Sequence, residues 1–239
     1  RAGCRVVTRP SAGSVRADRG TLAGAGMALL AWDASGWDLV GARWVGSPAG
    51  FAWRDAWWTS RLLHDGGRWA AWALLLALVW TAWRTPAAPA AAAVGPARAE
   101  RWRWLGVMLA CALAVPALKR FSATSCPWDL AEFGGSAAYV SHWSFGLADG
   151  GPGHCFPSGH AVAAFAFFGM YFMWREHDPR RARAWLAGVG LAGLVFGTAQ
   201  LLRGAHYPGH TLWSAWLCWT ISAAAAHLPR LARLRPHPA

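Results

Sequence analysis

Five apolar stretches of helix length, at about 69–83, 104–118, 157–174, 184–202 and 209–226, leave this chain little polar sequence with which to cover them. Most fall somewhat short of the roughly 20 residues a spanning helix needs, but flanking Arg and Trp extend such segments by snorkelling. A weaker sixth candidate, about 20–32, is closed by Asp33. Only 14% of residues are charged and 19 are tryptophan, so burying all these stretches as the core of a soluble protein is the poorer solution. The expected fold is all-α, a polytopic membrane bundle of about six transmembrane helices, the first uncertain.

The 23 Lys and Arg against 11 Asp and Glu are scattered between the apolar stretches and form no continuous basic face. Nucleic acid is therefore not an expected partner; the bilayer is. If all six candidates cross, sixteen basic residues (the arginines at 1–19, 84–103, 175–183 and 230–235) fall on one side. Seven fall on the other: Arg43, Arg54, Arg61, Arg68, Lys119, Arg120 and Arg203. The positive-inside rule puts the richer side and both termini in the cytoplasm, which predicts a multi-pass protein of a bacterial inner membrane.

Residues 1–26, rich in Arg, Gly and Ser, read as an N-terminal arm, natural or an expression remnant, with no function attached and no cleavable signal evident. Residues 27–227 form the helical domain and 228–239 a basic cytoplasmic tail. The outer loop at 33–67 carries Trp37, Trp44, Trp53, Trp57 and Trp58, and around Asp55–His64 it reads as a short interfacial helix. An Ala/Pro linker occupies 85–99. Cys111 and Cys218 sit inside apolar stretches as small core residues, whereas Cys126 and Cys155 share the long outer loop. In an oxidising compartment that pair is expected either to form a disulfide or to remain two thiols.

Two strings carry the chemistry, Pro157-Ser158-Gly159-His160 and His206-Tyr207-Pro208-Gly209-His210, each at the mouth of an apolar stretch. Proline suits a helix start, serine caps it, and glycine lets an anion approach the free N–H groups; the same string also serves as an ordinary cap. His160 is then a candidate general acid, and His206 a nucleophile able to carry phosphorus transiently. A neutral His210, four positions on, is expected to accept from His206 and orient it. Lys119, Arg120 and Arg203 are candidates to neutralise phosphoryl oxygens, although Arg120 fits plain snorkelling at least as well.

These strings resemble the type 2 phosphatidic acid phosphatase superfamily, which includes bacterial acid phosphatases and vanadium haloperoxidases. Its first motif, K-x-x-x-x-x-x-R-P, corresponds to Lys119 through Cys126-Pro127; its second, P-S-G-H, is intact at Pro157–His160. Its third, S-R-x-x-x-x-x-H-x-x-x-D, corresponds to Ala199-Gln200 through His206 and His210. The resemblance covers about 119–210 and implies a six-helix core, phosphate binding by Lys119, Ser158 and Gly159, His160 as acid and His206 as nucleophile. It implies no metal and no cofactor. Cys126 and Gln200 replace two phosphate-binding arginines, and His210 replaces the orienting aspartate. Arg203, about one helical turn from Gln200, and Arg120 are the expected substitutes. The expectation is thus a metal-independent phosphatase acting on a lipid phosphate or diphosphate at the periplasmic face. Phosphotransfer by the same phosphohistidine and a weakened lipid-phosphate binder stand beside it. A metal hydrolase built on His154, His206 and His210 lacks a visible carboxylate ligand.

Overall fold

The computed structural model describes residues 12–87 and 95–228. The chain runs α1 (Ala12–Ser35), α2 (Trp37–Arg43), a hairpin of β1 (Gly46–Ser47) and β2 (Gly50–Phe51), then a loosely wound π-helical segment (Trp58–Gly66). That segment continues without a break into α3 (Gly67–Arg84). After it come α4 (Arg98–Lys119), two single 3-10 turns, α5 (Val162–Phe165), α6 (Phe168–Trp174), α7 (Pro179–Leu202) and α8 (Pro208–His227). The class is helical as expected, with the small antiparallel hairpin added. The tail from 229 onward and linker residues 88–94 lie outside the described residues.

Three boundaries differ from expectation. First, α1 covers Ala12–Ser35, so it takes in the weak candidate stretch at about 20–32 together with part of the segment read as an N-terminal arm. Asp18, inside that segment, is buried. It accepts from Arg175 Nη1 at 2.8 and 3.1 Å and pairs with His227 Nε2 at 3.0 Å. A buried carboxylate held by two donors is tolerated where a lone one is not. Second, the interfacial segment is wound in wide π-turns and forms the start of α3 rather than a separate helix. Third, Ser158 caps no helix: regular winding starts only at Val162 and is interrupted at Ala166–Phe167.

The α5–α6 segment, Val162–Trp174, is the apolar centre. Thirteen residues rise about 20 Å, short of the roughly 30 Å of a bilayer core. Around it pack Trp104, Met108, Cys111 and Val115 from α4, Val189 from α7 and Cys218 from α8. Glycines bring α7 in close: a Cβ on Gly193 would collide with the Phe165 ring, and one on Gly197 would lie 2.6 Å from Thr211 Cγ2. Among the described residues two helices, α4 and α7, are long and apolar enough to cross a membrane; 28% and 22% of their apolar windows are buried. On α3, Trp69, Trp72, Leu76, Trp80 and Trp83 are likewise exposed.

The ends of the bundle are chemically different. At one end the Asp18–Arg175–His227 cluster joins α1, α6 and α8, and Glu100 pairs with His177 at 3.0 Å. At the other, the loop after α4 folds over the bundle and is fastened by a Cys126–Cys155 disulfide with Cα atoms 5.1 Å apart. Asp149 braces this loop by accepting from Ser125 Oγ at 2.8 Å and Gly151 N at 3.0 Å. His154 N donates to Ser122 O and Cys155 N to Thr124 O, which lays the segment after Lys119 alongside the one before Ser158. A second apolar cluster (Ala42, Phe51, Leu130, Phe133, Ala137, Tyr207) seals this end.

Candidate active site

Chain direction alone brings the sequence-derived residues together. Lys119 closes α4, Ser158–His160 precede α5, Arg203 follows α7 and Pro208 opens α8, all at the loop-covered end. Ser158 is fully buried, with its N–H donating to His210 O at 3.1 Å and its carbonyl accepting from Ser214 Oγ at 2.8 Å. Those bonds fix the P-S-G-H turn against α8 and leave the Ser158 Oγ, also buried, with no protein partner. Gly159 keeps the next position open: a Cβ there would sit 3.7 Å from Lys119 Cδ, so the lysine stem lies along this turn.

His160 stacks on His64, ring centroids 4.4 Å apart and planes inclined by 18°, and rests against Phe196. Burial pushes its imidazole down to about 4. The charges of His64, Arg203 and Arg68 act in the same direction, and only a hydrogen bond to the Leu63 backbone opposes them. Its Nε2 is buried and unpartnered. His206 is buried and held well below the ordinary range. Burial is the main cause, followed by His210, Lys119 and His160. Mutual influence of this kind requires proximity, so His206, His160 and Lys119 lie near one another at the loop-covered end.

Gln200 is buried too. Its backbone carbonyl accepts from Ala205 N at 2.9 Å and His206 N at 3.3 Å, positioning the His206 backbone, while its Nε2 has no partner among the described residues. Arg203 donates from Nε to Arg54 O at 3.0 Å and lies over Trp128, with its charge felt at His160. Arg120 is exposed at the end of α4 and is not drawn in.

One expectation fails. His210 is not the acceptor that orients His206, because Cys155 stands between the rings. His206 Nδ1 lies 3.4 Å from Cys155 Sγ, and His210 Nδ1 faces Cys155 O at 3.1 Å. The imidazole centroids are 5.9 Å apart. The disulfide half-cystine and its carbonyl thus occupy the place of a direct histidine–histidine bond.

Sequence reasoning missed His64 and Arg68, which reach His160 from the π-helical segment and the first turn of α3. Their signal was the amphipathic Asp55–His64 stretch, whose inward face went unassigned. Beside them opens a cleft of about 290 Å³ with Arg68, Gly159 and His160 at its polar end and Trp72, Leu75, Met108 and Phe167 along its walls. A larger cavity, about 350 Å³, lies under the long loop against Leu118, Phe156 and Trp213 and contains none of the three catalytic candidates. Of the two, the 290 Å³ cleft is the one that reaches a catalytic candidate, His160.

The sequence profile of the PAP2 superfamily matches residues 101–233, more than half the chain and every one of these motifs. The chain belongs to this superfamily. No curated protein and no solved structure matches it. Membership in the PAP2 superfamily carries phosphatase-type chemistry on phosphate esters. In this PAP2 member the arginine position of the first motif is taken by Cys126, whose sulfur is committed to the disulfide and is closed to phosphate.

Proposed function

We propose that this PAP2 protein is a membrane phosphatase that hydrolyses a lipid phosphate or diphosphate through a phosphohistidine on His206. The observation that carries this reading is a set of buried, unpartnered polar atoms (Ser158 Oγ, His160 Nε2 and Gln200 Nε2) on three residues the motifs assign to one phosphate. Buried polar groups are normally paired, and a phosphoryl group with its bridging oxygen supplies acceptors for all three. Lys119, Arg203 and Arg68 add the positive charge.

In the first step His206 Nε2 attacks phosphorus, the bond to the leaving oxygen breaks, and His160 donates its proton to that oxygen. In the second, water attacks the phosphohistidine while His160 takes its proton, and inorganic phosphate leaves with His206 regenerated. His160 is neutral at pH 7 in the free protein, so it must acquire its proton with the substrate. A bound phosphate dianion favours this by stabilising imidazolium.

The apolar walls of the 290 Å³ cleft support a lipid: an acyl or isoprenoid chain lies along Trp72, Leu75 and Phe167 while the headgroup meets Arg68 and His160. Outward-facing apolar side chains on α3, α4 and α7 support a bilayer around the bundle, with α5–α6 crossing inside it as part of a six-segment arrangement. The disulfide and the arginine asymmetry support an active site on the periplasmic face of an inner membrane, with both termini cytoplasmic.

The test is phosphate release by the purified chain in detergent from phosphatidic acid, phosphatidylglycerophosphate, a polyprenyl diphosphate and a lipid A phosphate. Wild type should release phosphate from at least one, and His206→Ala and His160→Ala from none. Release that persists in His206→Ala sinks the mechanism. A second reading, a lipid-phosphate binder with little turnover, is favoured by the lost clamp arginines, and it predicts phospholipid binding without release. Transfer of labelled phosphate to an added lipid would identify a phosphotransferase.

A further inference from the structure

Outside the phosphate pocket, two buried carboxylates and two histidines are gathered from three parts of the chain. Asp33 and Asp38 come from α1 and α2, His142 from the long loop, and His210 from the first turn of α8. Asp38 Oδ1 accepts from Trp32 Nε1 at 2.8 Å and from Gly209 N at 2.7 Å. His142 Nε2 faces Asp33 Oδ2 at 3.2 Å, which leaves its Nδ1 free. Because His210 Nδ1 is engaged by Cys155 O, its Nε2 is free. One ligand-type atom from each of Asp38, His142 and His210 lies within 4.8 Å of the other two. All three side chains are buried or nearly so.

We propose that Asp38, His142 and His210 form a binding site for a divalent transition-metal ion of the zinc class, with Asp33 as the outer partner that orients His142. Four features of the cluster point to a cation. Two imidazoles and one carboxylate are a donor set zinc accepts, with water or a further oxygen as the fourth ligand. Each imidazole already donates one ring N–H to an oxygen, a carboxylate for His142 and a backbone carbonyl for His210; metal-bound histidines have this outer arrangement. Asp33 Oδ1 is buried without a partner, although its other oxygen also receives Trp143 Nε1 and Trp213 Nε1 at 2.8 and 2.9 Å. Neither Asp33 nor Asp38 has a lysine or arginine among its ion pairs in the described residues; indole and backbone N–H groups and the His142 imidazole are the donors beside them, so a bound cation would supply the charge partner they lack.

Bonds of about 2.0–2.1 Å place tetrahedral ligands about 3.4 Å apart, so closure on the ion takes ring rotations on the order of an ångström. The ion would fasten the N-terminal helices, the long loop and α8 together. His210 also holds Ser158 through its carbonyl, so the site sets the geometry behind the phosphate pocket without touching phosphate. The inference stands whether or not the phosphatase reading does.

The experiment is metal uptake by the full chain in detergent, stripped with chelator and dialysed against buffered zinc, then assayed for zinc per chain. Cobalt(II) loading, read by the visible absorption of a four-coordinate ion, accompanies it. Wild type should take up one equivalent and show the cobalt bands. Asp38→Asn, which keeps the acceptor for Gly209 N, and His142→Gln should lose both, while Asp33→Asn should weaken affinity about 10–100-fold. His177→Gln, at the opposite end, should bind as wild type does. Wild type without zinc uptake or cobalt bands overturns the proposal, and so do Asp38→Asn and His142→Gln proteins that bind as tightly as wild type. Retention of the Cys126–Cys155 disulfide and a monodisperse elution check that the variants are folded.

Discussion

Removing the charge of His64 should move the pH profile of turnover, because His64 stands against the proposed acid. Burial and neighbouring cations hold His160 at about 4 in the free protein. At pH 7 that leaves about one molecule in a thousand protonated, equivalent to about 4 kcal/mol needed to load the acid. Above pH 5, kcat/KM should therefore fall about tenfold per pH unit wherever His160 must bring the proton. His64 is the second-largest cause of the depression, after burial, and its centroid is 4.4 Å away. His64→Gln removes the imidazole that opposes imidazolium at position 160 and shifts the alkaline limb to higher pH. Substrate ionisation is common to both proteins, so the measured quantity is the ratio of variant to wild-type kcat/KM between pH 4.5 and 8, the range above the His160 limit of about 4. The ratio should rise with pH and then level off. A ratio independent of pH would refute the idea that His160 is an acid controlled by its neighbours.

Other consequences can be checked separately. His206→Ala should lower phosphate release at least about a thousandfold, as loss of a covalent nucleophile does, with lipid binding retained in a flotation assay. Arg68→Gln should raise KM about tenfold or more with a smaller change in kcat, in keeping with about 1.5–3 kcal/mol for a hydrogen bond to a charged group. The depressed His160 also makes stability pH-dependent: its neutral form is the folded one, so stability is complete above about 6.5 and lost as pH falls toward about 4. That window carries about 3 kcal/mol, and denaturant titrations of His160→Gln should show it missing. Gly193→Ala should destabilise the bundle by about 1–3 kcal/mol, measured the same way, because its methyl would enter the Phe165 ring.

Much of this architecture was legible because two signals are local. Apolar stretches announced α3, α4, α7 and α8 within a few residues, and the strings at 157–160 and 206–210 announced chemistry. Their convergence followed from chain direction, since a bundle of alternating helices must bring these ends together. What escaped was set by contacts distant in sequence. Asp18 read as a terminus of the fold because its partners, Arg175 and His227, lie more than 150 residues away. Ser158 read as a helix cap because nothing local says that its N–H is taken by His210 O. Asp38, on a seven-residue helix inside an apparent loop, carried no visible link to Gly209.

The departures from the superfamily pattern are best understood as one linked change rather than three separate losses. Cys126 gives up the clamp arginine, and in return fastens the long loop to the segment before Ser158; the loop it closes, with a sequence separation of 29, stabilises the fold by about 3–4 kcal/mol in the chain-entropy model. The same disulfide places Cys155 between His206 and His210, the residue that stands at the position of the family's orienting aspartate. Positive charge then has to come from groups that the loop does not displace, and Arg203 and Arg68 both act on His160. Replacing Cys126 alone by arginine would therefore not build the superfamily-type clamp. It would release the loop and free Cys155 beside His206. Activity of Cys126→Arg should fall, and Cys126→Ser should fall with it; a Cys126→Arg protein more active than wild type would show that the loop and the clamp are independent after all.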